Sequence, residues 1–505
     1  MSKSSDQEEL SAAIASIAGA LAAELQQSSS PPFVDPNADL NAAYGIDSLA
    51  RVELISRIEK QFGARLPEAD AIRAATAAEM AHLLQRSLDP AGTSKFRGAS
   101  KQIHTPLDAA QEPAGASTLL DVLDWHVQHA PERNHVIFEE EENSAVALTY
   151  GELRQSASRF AAGLHHAGVE PQTAVALMLP TGLDFLISFF GCLLAGTVPV
   201  PLYPPFQHTQ LEEHLRRNLA TLSNCRASAM IVFPEIHTAA RLARFALPGL
   251  SLISTPEEIL SGPTTAIQRK AAAEQPAFIQ YTSGSTSSPK GVVLSHGNLL
   301  ANIRAMGQAC GVRQGDVFAS WLPLYHDMGL IGAWFGSLYY GIPLVLMSPL
   351  SFIAHPERWL RAIDRFRATI SGGPNFAYQL CASRLDSEKL AGLNLSSWRI
   401  AFNGAEPVSA NTITAFCRRF APYEFKPEAV LPVYGLAENC VGLCFPPPGR
   451  GARIETVSRT KLQLHGIAER IPPEDPDAYA SVSCGRPLLG HQLRIIDTEG
   501  NEMPE

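Results

Sequence analysis

From residue 118 to the end of the chain, short apolar runs recur between stretches of helical periodicity. The runs fall at 136–138, 174–179, 198–202, 230–233, 278–281, 318–322, 344–347, 369–372, 400–403 and 430–433. They are too short for helices and are bounded by turn residues, which suits strands buried on both faces. Strands that alternate with amphipathic helices predict α/β layers with largely parallel sheets. Residues 118–505 therefore read as one large layered domain with a small β part.

Residues 1–90 follow another pattern. Residues 6–27 are Ala-rich, with apolar positions at Leu10, Ile14, Ile17, Leu21 and Leu25. After a Ser/Pro loop at 28–32, residues 48–62 place Leu49, Val52, Ile55, Ile58 and Phe62 on one helix face. Residues 76–88 read as a last helix with Met80, Leu83 and Leu84 inward. This predicts an all-α, four-helix domain near the lower size limit for a single core. It carries 13 acidic and 7 basic side chains, so it holds most of the formal net charge of −10. Residues 91–117 are rich in Gly, Ala, Ser, Pro and Lys, without apolar periodicity, and read as a flexible tether.

An acidic chain is a poor partner for nucleic acid. The uncharged runs 185–211 and 328–354 are long enough to raise the question of a membrane span. Pro199, Pro201, Pro204 and Pro205 interrupt the first, and Gly341, Pro343 and Pro349 the second. Each predicts a buried helix, a Gly turn and a core strand, and no transmembrane segment. The eight cysteines show no C-x-x-C pair and no zinc spacing; Cys440 and Cys444 would share a face only if their segment were helical. Reduced thiols and a polar, acidic start to the chain predict a cytoplasmic protein.

The segment from Tyr281 to Gly291 reads Tyr-Thr-Ser-Gly-Ser-Thr-Ser-Ser-Pro-Lys-Gly and follows a predicted strand. Gly284 lets the backbone approach a ligand closely. Successive N–H groups and the hydroxyls of Thr282, Ser283, Ser285 and Thr286 can surround phosphate oxygens, with the Lys290 charge beside them. The spacing is not that of a P-loop ATPase.

This string resembles the phosphate loop of the adenylate-forming enzymes, with Ser287 where a glycine is usual. The resemblance spans roughly 118–505 and implies ATP-dependent activation of a carboxylate as an acyl-AMP. Gly404, Ala405, Glu406 and Pro407 resemble the loop that lines the adenine site. Tyr434-Gly435-Leu436-Ala437-Glu438 resembles a second signature; it implies a Tyr434 ring stacked on adenine and Glu438 holding Mg²⁺ together with Thr286. Trp321-Leu-Pro-Leu-Tyr-His326-Asp-Met-Gly-Leu330 and the run 373–378 look like the fatty acyl-AMP ligase branch rather than amino-acid-activating relatives. There His326 would face the carboxylate and the α-phosphate, where an imidazole donates to developing negative charge. Leu330, Ile331, Trp334, Phe335 and Leu338 suit either an acyl tunnel or core.

Gly45-Ile46-Asp47-Ser48-Leu49 resembles the phosphopantetheine attachment motif of acyl carrier proteins. A serine at a helix N-terminus is exposed, and the dipole stabilises a phosphodiester there. Arg51, Arg57 and Lys60 make this helix less acidic than in many carriers.

The resemblance implies a carrier fused to a fatty acyl-AMP ligase, using ATP, Mg²⁺ and 4'-phosphopantetheine. Its partners would be a fatty acid, a phosphopantetheinyl transferase, and a downstream polyketide, lipid or peptide synthase or acyltransferase. A long-chain acyl-CoA synthetase, an amino-acid-activating domain, or a carrier with an inactive ligase scaffold remain as alternatives. After Gly485-Arg486-Pro487 a strand is expected at 492–497. Family members continue into a small domain with a catalytic lysine, so weak activity is expected of residues 1–505 alone.

Overall fold

Three- and four-residue spacing of apolar side chains builds the N-terminal bundle, as the pattern predicts. The computed structural model describes residues 2–25, 32–46, 48–63, 66, 70–71, 74–88, 112–141, 144–205, 211–241, 243–263, 270–282 and 289–503. Helices α1 (Ser2–Leu25), α3 (Ser48–Phe62) and α4 (Ala77–Leu88) enclose Ile14, Ala18, Leu21, Leu54, Ile58, Met80 and Leu84. Each large aliphatic side chain buried here contributes about 1.5–3 kcal/mol. The expected tether lies mostly outside the described residues.

A short helix escaped the periodicity. In α2 (Leu40–Tyr44), Asp39 Oδ1 accepts from the N–H groups of Asn41 and Ala42 at 2.9 and 2.8 Å. Gly45 ends it at φ +70°, a left-handed cap that a glycine adopts without strain. The turn delivers the chain to Ser48 at the start of α3. Two of the three basic residues of α3 are engaged within the bundle. Arg51 is buried near Asp39 and Glu79, and Arg57 pairs with Glu24 at 2.8 Å.

The large domain contains two parallel sheets. The seven-stranded sheet runs in the order β13 (Val430–Pro432), β12 (Ile400–Asn403), β11 (Ile370–Gly373), β9 (Phe318–Ser320), β10 (Leu344–Met347), β1 (Asn134–Glu141) and β2 (Ser144–Thr149). Only the β1–β2 pair is antiparallel. A four-stranded parallel sheet orders β4 (Val198–Pro201), β3 (Ala174–Met178), β5 (Ala227–Val232) and β6 (Leu252–Ser254). All five residues of β3 are buried, which explains its unbroken apolar run. Helix α5 (Tyr150–His166) starts at a capping box of Thr149 and Glu152 and packs on α6 (Leu183–Ala195). A Cβ at Gly191 would come within 2.4 Å of the Phe160 ring, so glycine permits this approach.

The two ends of the hydroxyl-rich segment, Tyr281–Thr282 and Lys290–Gly291, pair in the antiparallel strands β7 (Pro276–Thr282) and β8 (Lys290–Ser295). Small two-stranded pairs complete the fold: β14 (Cys444–Phe445) with β17 (Arg486–Pro487), and β15 (Ile454–Ser458) with β16 (Ala478–Val482). The strand expected at 492–497 does not form. Ile496 makes a single bridge to Glu502, and no neighbouring strand satisfies this backbone among the described residues. Cys440 closes a 3₁₀ turn (Ala437–Asn439) and Cys444 opens β14, so they share no helix. No helix among the described residues is long and apolar enough to cross a membrane.

Candidate active site

Loops leave the C-terminal ends of the parallel strands on one edge of the large sheet, where open α/β folds bind ligands. Trp321–Asp327 follows β9, Gly404–Glu406 follows β12, and Val433–Glu438 follows β13. With β7 and helix α7 (His296–Cys310) they enclose a cavity of about 250 Å³.

Its mouth is polar. Thr282, His326, Asp327, Ala405, Tyr434 and Gly435 line it. Thus five residues singled out in the sequence, namely Thr282, His326, Ala405, Tyr434 and Gly435, meet in one cleft. The Tyr434 side chain is 48% exposed while its backbone bonds to Leu443 and Cys444, so the ring is held at the opening. Gly435 has no room for a side chain: a Cβ would lie 1.5 Å from the Val441 carbonyl oxygen. Ala405 takes φ +66°, and a Cβ at Gly404 would lie 2.8 Å from the Val433 carbonyl oxygen. Strand β12 therefore passes tightly against β13 at the loop.

His326 Nδ1 lies 2.7 Å from Asp327 Oδ1, which also accepts the Met328 N–H at 2.7 Å. Burial disfavours the imidazolium, but the hydrogen bond and charge of Asp327 outweigh it. The pKa of His326 is raised above the usual imidazole value.

Other expected residues stand nearby without lining the cavity. Lys290 is exposed and is the Cα partner of Thr282 between β7 and β8. The Glu406 carboxylate accepts the Phe376 N–H at 2.6 Å, which anchors the 404–406 loop to the chain after β11. Leu436 precedes the 3₁₀ turn, and Glu438 is exposed within it, next to the lining residue Ala437. An exposed carboxylate at a cleft edge fits Mg²⁺, which is usually held by one or two carboxylates plus substrate phosphates. Ser283, Gly284, Ser285 and Thr286 lie outside the described residues, as does the side chain of Ser48.

The depth of the cavity is apolar. Ile303, Met306, Gly307 and Cys310 face it from α7 at helical spacing, with Phe318, Ile342 and Phe402 around them. On the opposite wall the structure decides between the two readings of the apolar run. Leu330, Ile331, Trp334, Phe335 and Leu338 are fully buried core residues. Met328, Gly332, Gly336 and Tyr340 line the cavity instead. They recur every fourth residue along a π-helix (Met328–Phe335) and the short α-helix after it (Gly336–Tyr340). The glycine spacing was the available signal. A Cβ at Gly332 meets nothing within 4 Å, so that face is open.

The large domain is thus a layered α/β domain with a cleft at the C-terminal ends of its strands joined to an apolar bore. A profile for the AMP-binding enzyme family matches residues 123–505, and one for the phosphopantetheine attachment site matches residues 14–84. The chain belongs to the AMP-binding enzyme family. It is 36% identical over 389 residues to the medium-chain-fatty-acid–[acyl-carrier-protein] ligase JamA of Moorena producens, covering 75% of this chain and 65% of that protein. With the corresponding ligase TtuA of Teredinibacter turnerae it shares 31% identity over 421 residues, covering 75% and 64%. The chain thus spans somewhat under two thirds of these relatives. The fatty acyl-adenylate ligase of Legionella pneumophila, solved with acyl adenylate and pyrophosphate, superposes with a TM-score of 0.70. It is 34% identical, with coverage of 78% of this chain and 67% of that one.

Proposed function

We propose that the protein activates a fatty acid as its acyl-adenylate and passes the acyl group to a phosphopantetheine thiol on Ser48. The observation that carries this reading is the single cavity, polar at the Thr282–His326–Tyr434 mouth and apolar between α7 and the Met328–Tyr340 wall. An amino acid would need an anionic partner for its ammonium group. The carboxylate that lines the cavity, Asp327, is already held by His326 and the Met328 N–H.

In the first step a carboxylate oxygen of the acid attacks the α-phosphorus of ATP. The bond to pyrophosphate breaks as the acyl–phosphate anhydride forms. Two anions must meet, so the residues act by positioning and charge neutralisation. His326, with its raised pKa, donates toward the carboxylate and α-phosphate oxygens. Tyr434 offers its exposed ring to the adenine, and Gly404, Ala405 and Glu406 shape the wall beside it. Thr282 to Thr286 and Lys290 receive the phosphates. Mg²⁺, held by Glu438 and Thr286, supplies further charge neutralisation when bound. In the second step the arm's thiolate attacks the acyl carbon and AMP leaves.

Within this reading residues 1–90 are the carrier, 91–117 the tether and 118–505 the ligase domain. A phosphopantetheinyl transferase installs the arm, and a polyketide, lipid or peptide synthase or an acyltransferase receives the acyl group. Eight free cysteines support a reducing, cytoplasmic setting. The test is acid-dependent pyrophosphate release by the full-length protein, with fatty acids set against amino acids and carrier thiol against free CoA. Release with fatty acids, and mass-detected acylation lost in Ser48→Ala, are expected. Release with amino acids alone would overturn the assignment.

A further inference from the structure

The core of the helical domain does not close on itself. Ala354, from the large domain, is buried in the same cluster as Leu54, Ile58 and Leu84. Leu350 and Ile353 pack against that cluster too. All three lie on α8 (Pro349–Ala354), which follows β10, and at spacings of three and four they share one face. The helix they meet is α3.

Behind this apolar seal sits a polar latch. His355 follows α8 and is buried. Its Nε2 lies 3.8 Å from Glu59 Oε2 on α3, and its Nδ1 lies 3.7 Å from Glu357 Oε1. Lys389 pairs with Glu357 at 2.9 Å. Carrier carboxylate, ligase imidazole, ligase carboxylate and lysine thus follow one another across the contact. Glu59 stands eleven residues after Ser48, about 16 Å along the helix. The latch therefore grips α3 far from the serine end.

The seal also adjoins the catalytic face. Phe352, on α8, stacks on Trp321 with ring centroids 4.0 Å apart. Trp321 meets Phe376 edge-on at 5.9 Å, and Phe376 is the residue bonded to Glu406.

We propose that α8 and His355 form a docking site by which the ligase domain holds its own carrier in cis; this rests on the carrier and ligase reading above. Three apolar side chains and one polar latch make a small contact, suited to reversible holding. The covalent link raises the effective concentration to roughly the millimolar range, so a weak site suffices.

Hydrogen exchange on the full chain tests it, and needs neither ATP nor acid, so its result is independent of the activity assays. Glu59→Gln keeps the acceptor for the Leu66 N–H (2.9 Å) and removes the charge. Exchange at 349–355, in the other domain, should rise at least threefold. Ile353→Asp should raise exchange across residues 50–62 by as much and enlarge the radius of gyration. An effect crossing between the domains in either direction supports the site. If both variants leave the opposite segment within twofold of wild type, the proposal is overturned.

Discussion

Asn302 clamps Gly442 through both of its backbone groups. The Asn302 amide nitrogen donates to the Gly442 carbonyl at 2.8 Å, and its oxygen accepts the Gly442 N–H at 3.1 Å. This ties α7 to the turn that backs Tyr434 and Gly435, so the apolar and nucleotide walls share one brace. Asn302→Ala leaves the buried Gly442 N–H unpaired, at a cost of about 1–3 kcal/mol before relaxation, while the Gly442 carbonyl keeps the Asn439 amide as a donor. Melting temperature should fall, and the KM for ATP should rise several-fold as the Tyr434 segment loosens. An unchanged KM would show that the brace is only structural.

Gly332 sets the bore. A leucine there would project into open space rather than into a neighbour. Gly332→Leu should abolish pyrophosphate release with long fatty acids and spare short ones, with little change in melting temperature. Equal loss for all chain lengths would refute its place in the acyl path.

At Gly435 the expected result is opposite in kind. The obstructing atom is a backbone oxygen at 1.5 Å, which cannot rotate away. Gly435→Ala should displace Tyr434, cost about 1–3 kcal/mol by overpacking, and weaken nucleotide binding at least tenfold. Calorimetric titration with a non-hydrolysable ATP analogue reads this directly; unaltered affinity would contradict it.

Acid should destabilise the large domain from an unexpectedly high pH. His126 Nε2 donates to the Leu338 carbonyl at 2.7 Å, and His296 Nδ1 accepts the Leu119 N–H at 3.2 Å. Burial pushes both pKa values down to about 4, with the Arg133 charge adding to the effect on His126. The unfolded chain binds these protons near pH 6.5. Between about pH 6.5 and 4 the unfolded state therefore holds more protons, and stability falls as pH drops. Each histidine accounts for up to about 3 kcal/mol. Urea midpoints measured across this range should fall steeply for wild type and less steeply for a His126→Asn, His296→Asn double variant. Equal slopes would disprove the linkage.

Period and composition made much of this protein legible in advance. The runs at 344–347 and 400–403 are strands with those bounds, and α3 spans Ser48–Phe62 as its pattern predicts. Local chemistry of this kind depends on neighbours along the chain. The cavity wall stayed open between tunnel and core for the converse reason. Apolar character identified Leu330 and Trp334 as inward-facing, but inward was the core. The π-helix and the short α-helix after it leave Gly332 and Gly336 facing the space instead.

What the sequence determined by itself was the layered α/β class, the helical front domain and the residue types available for phosphate, adenine and arm chemistry, because these follow from periodicity and short motifs. Which side chains share a cleft was decided only by the tertiary structure. Thr282 meets His326 and Tyr434 because β7, β9 and β13 bring their ends together, and Glu59 meets His355 because α3 packs on α8. Such pairings join residues from about 40 to nearly 300 positions apart, and only the packing of whole layers selects them.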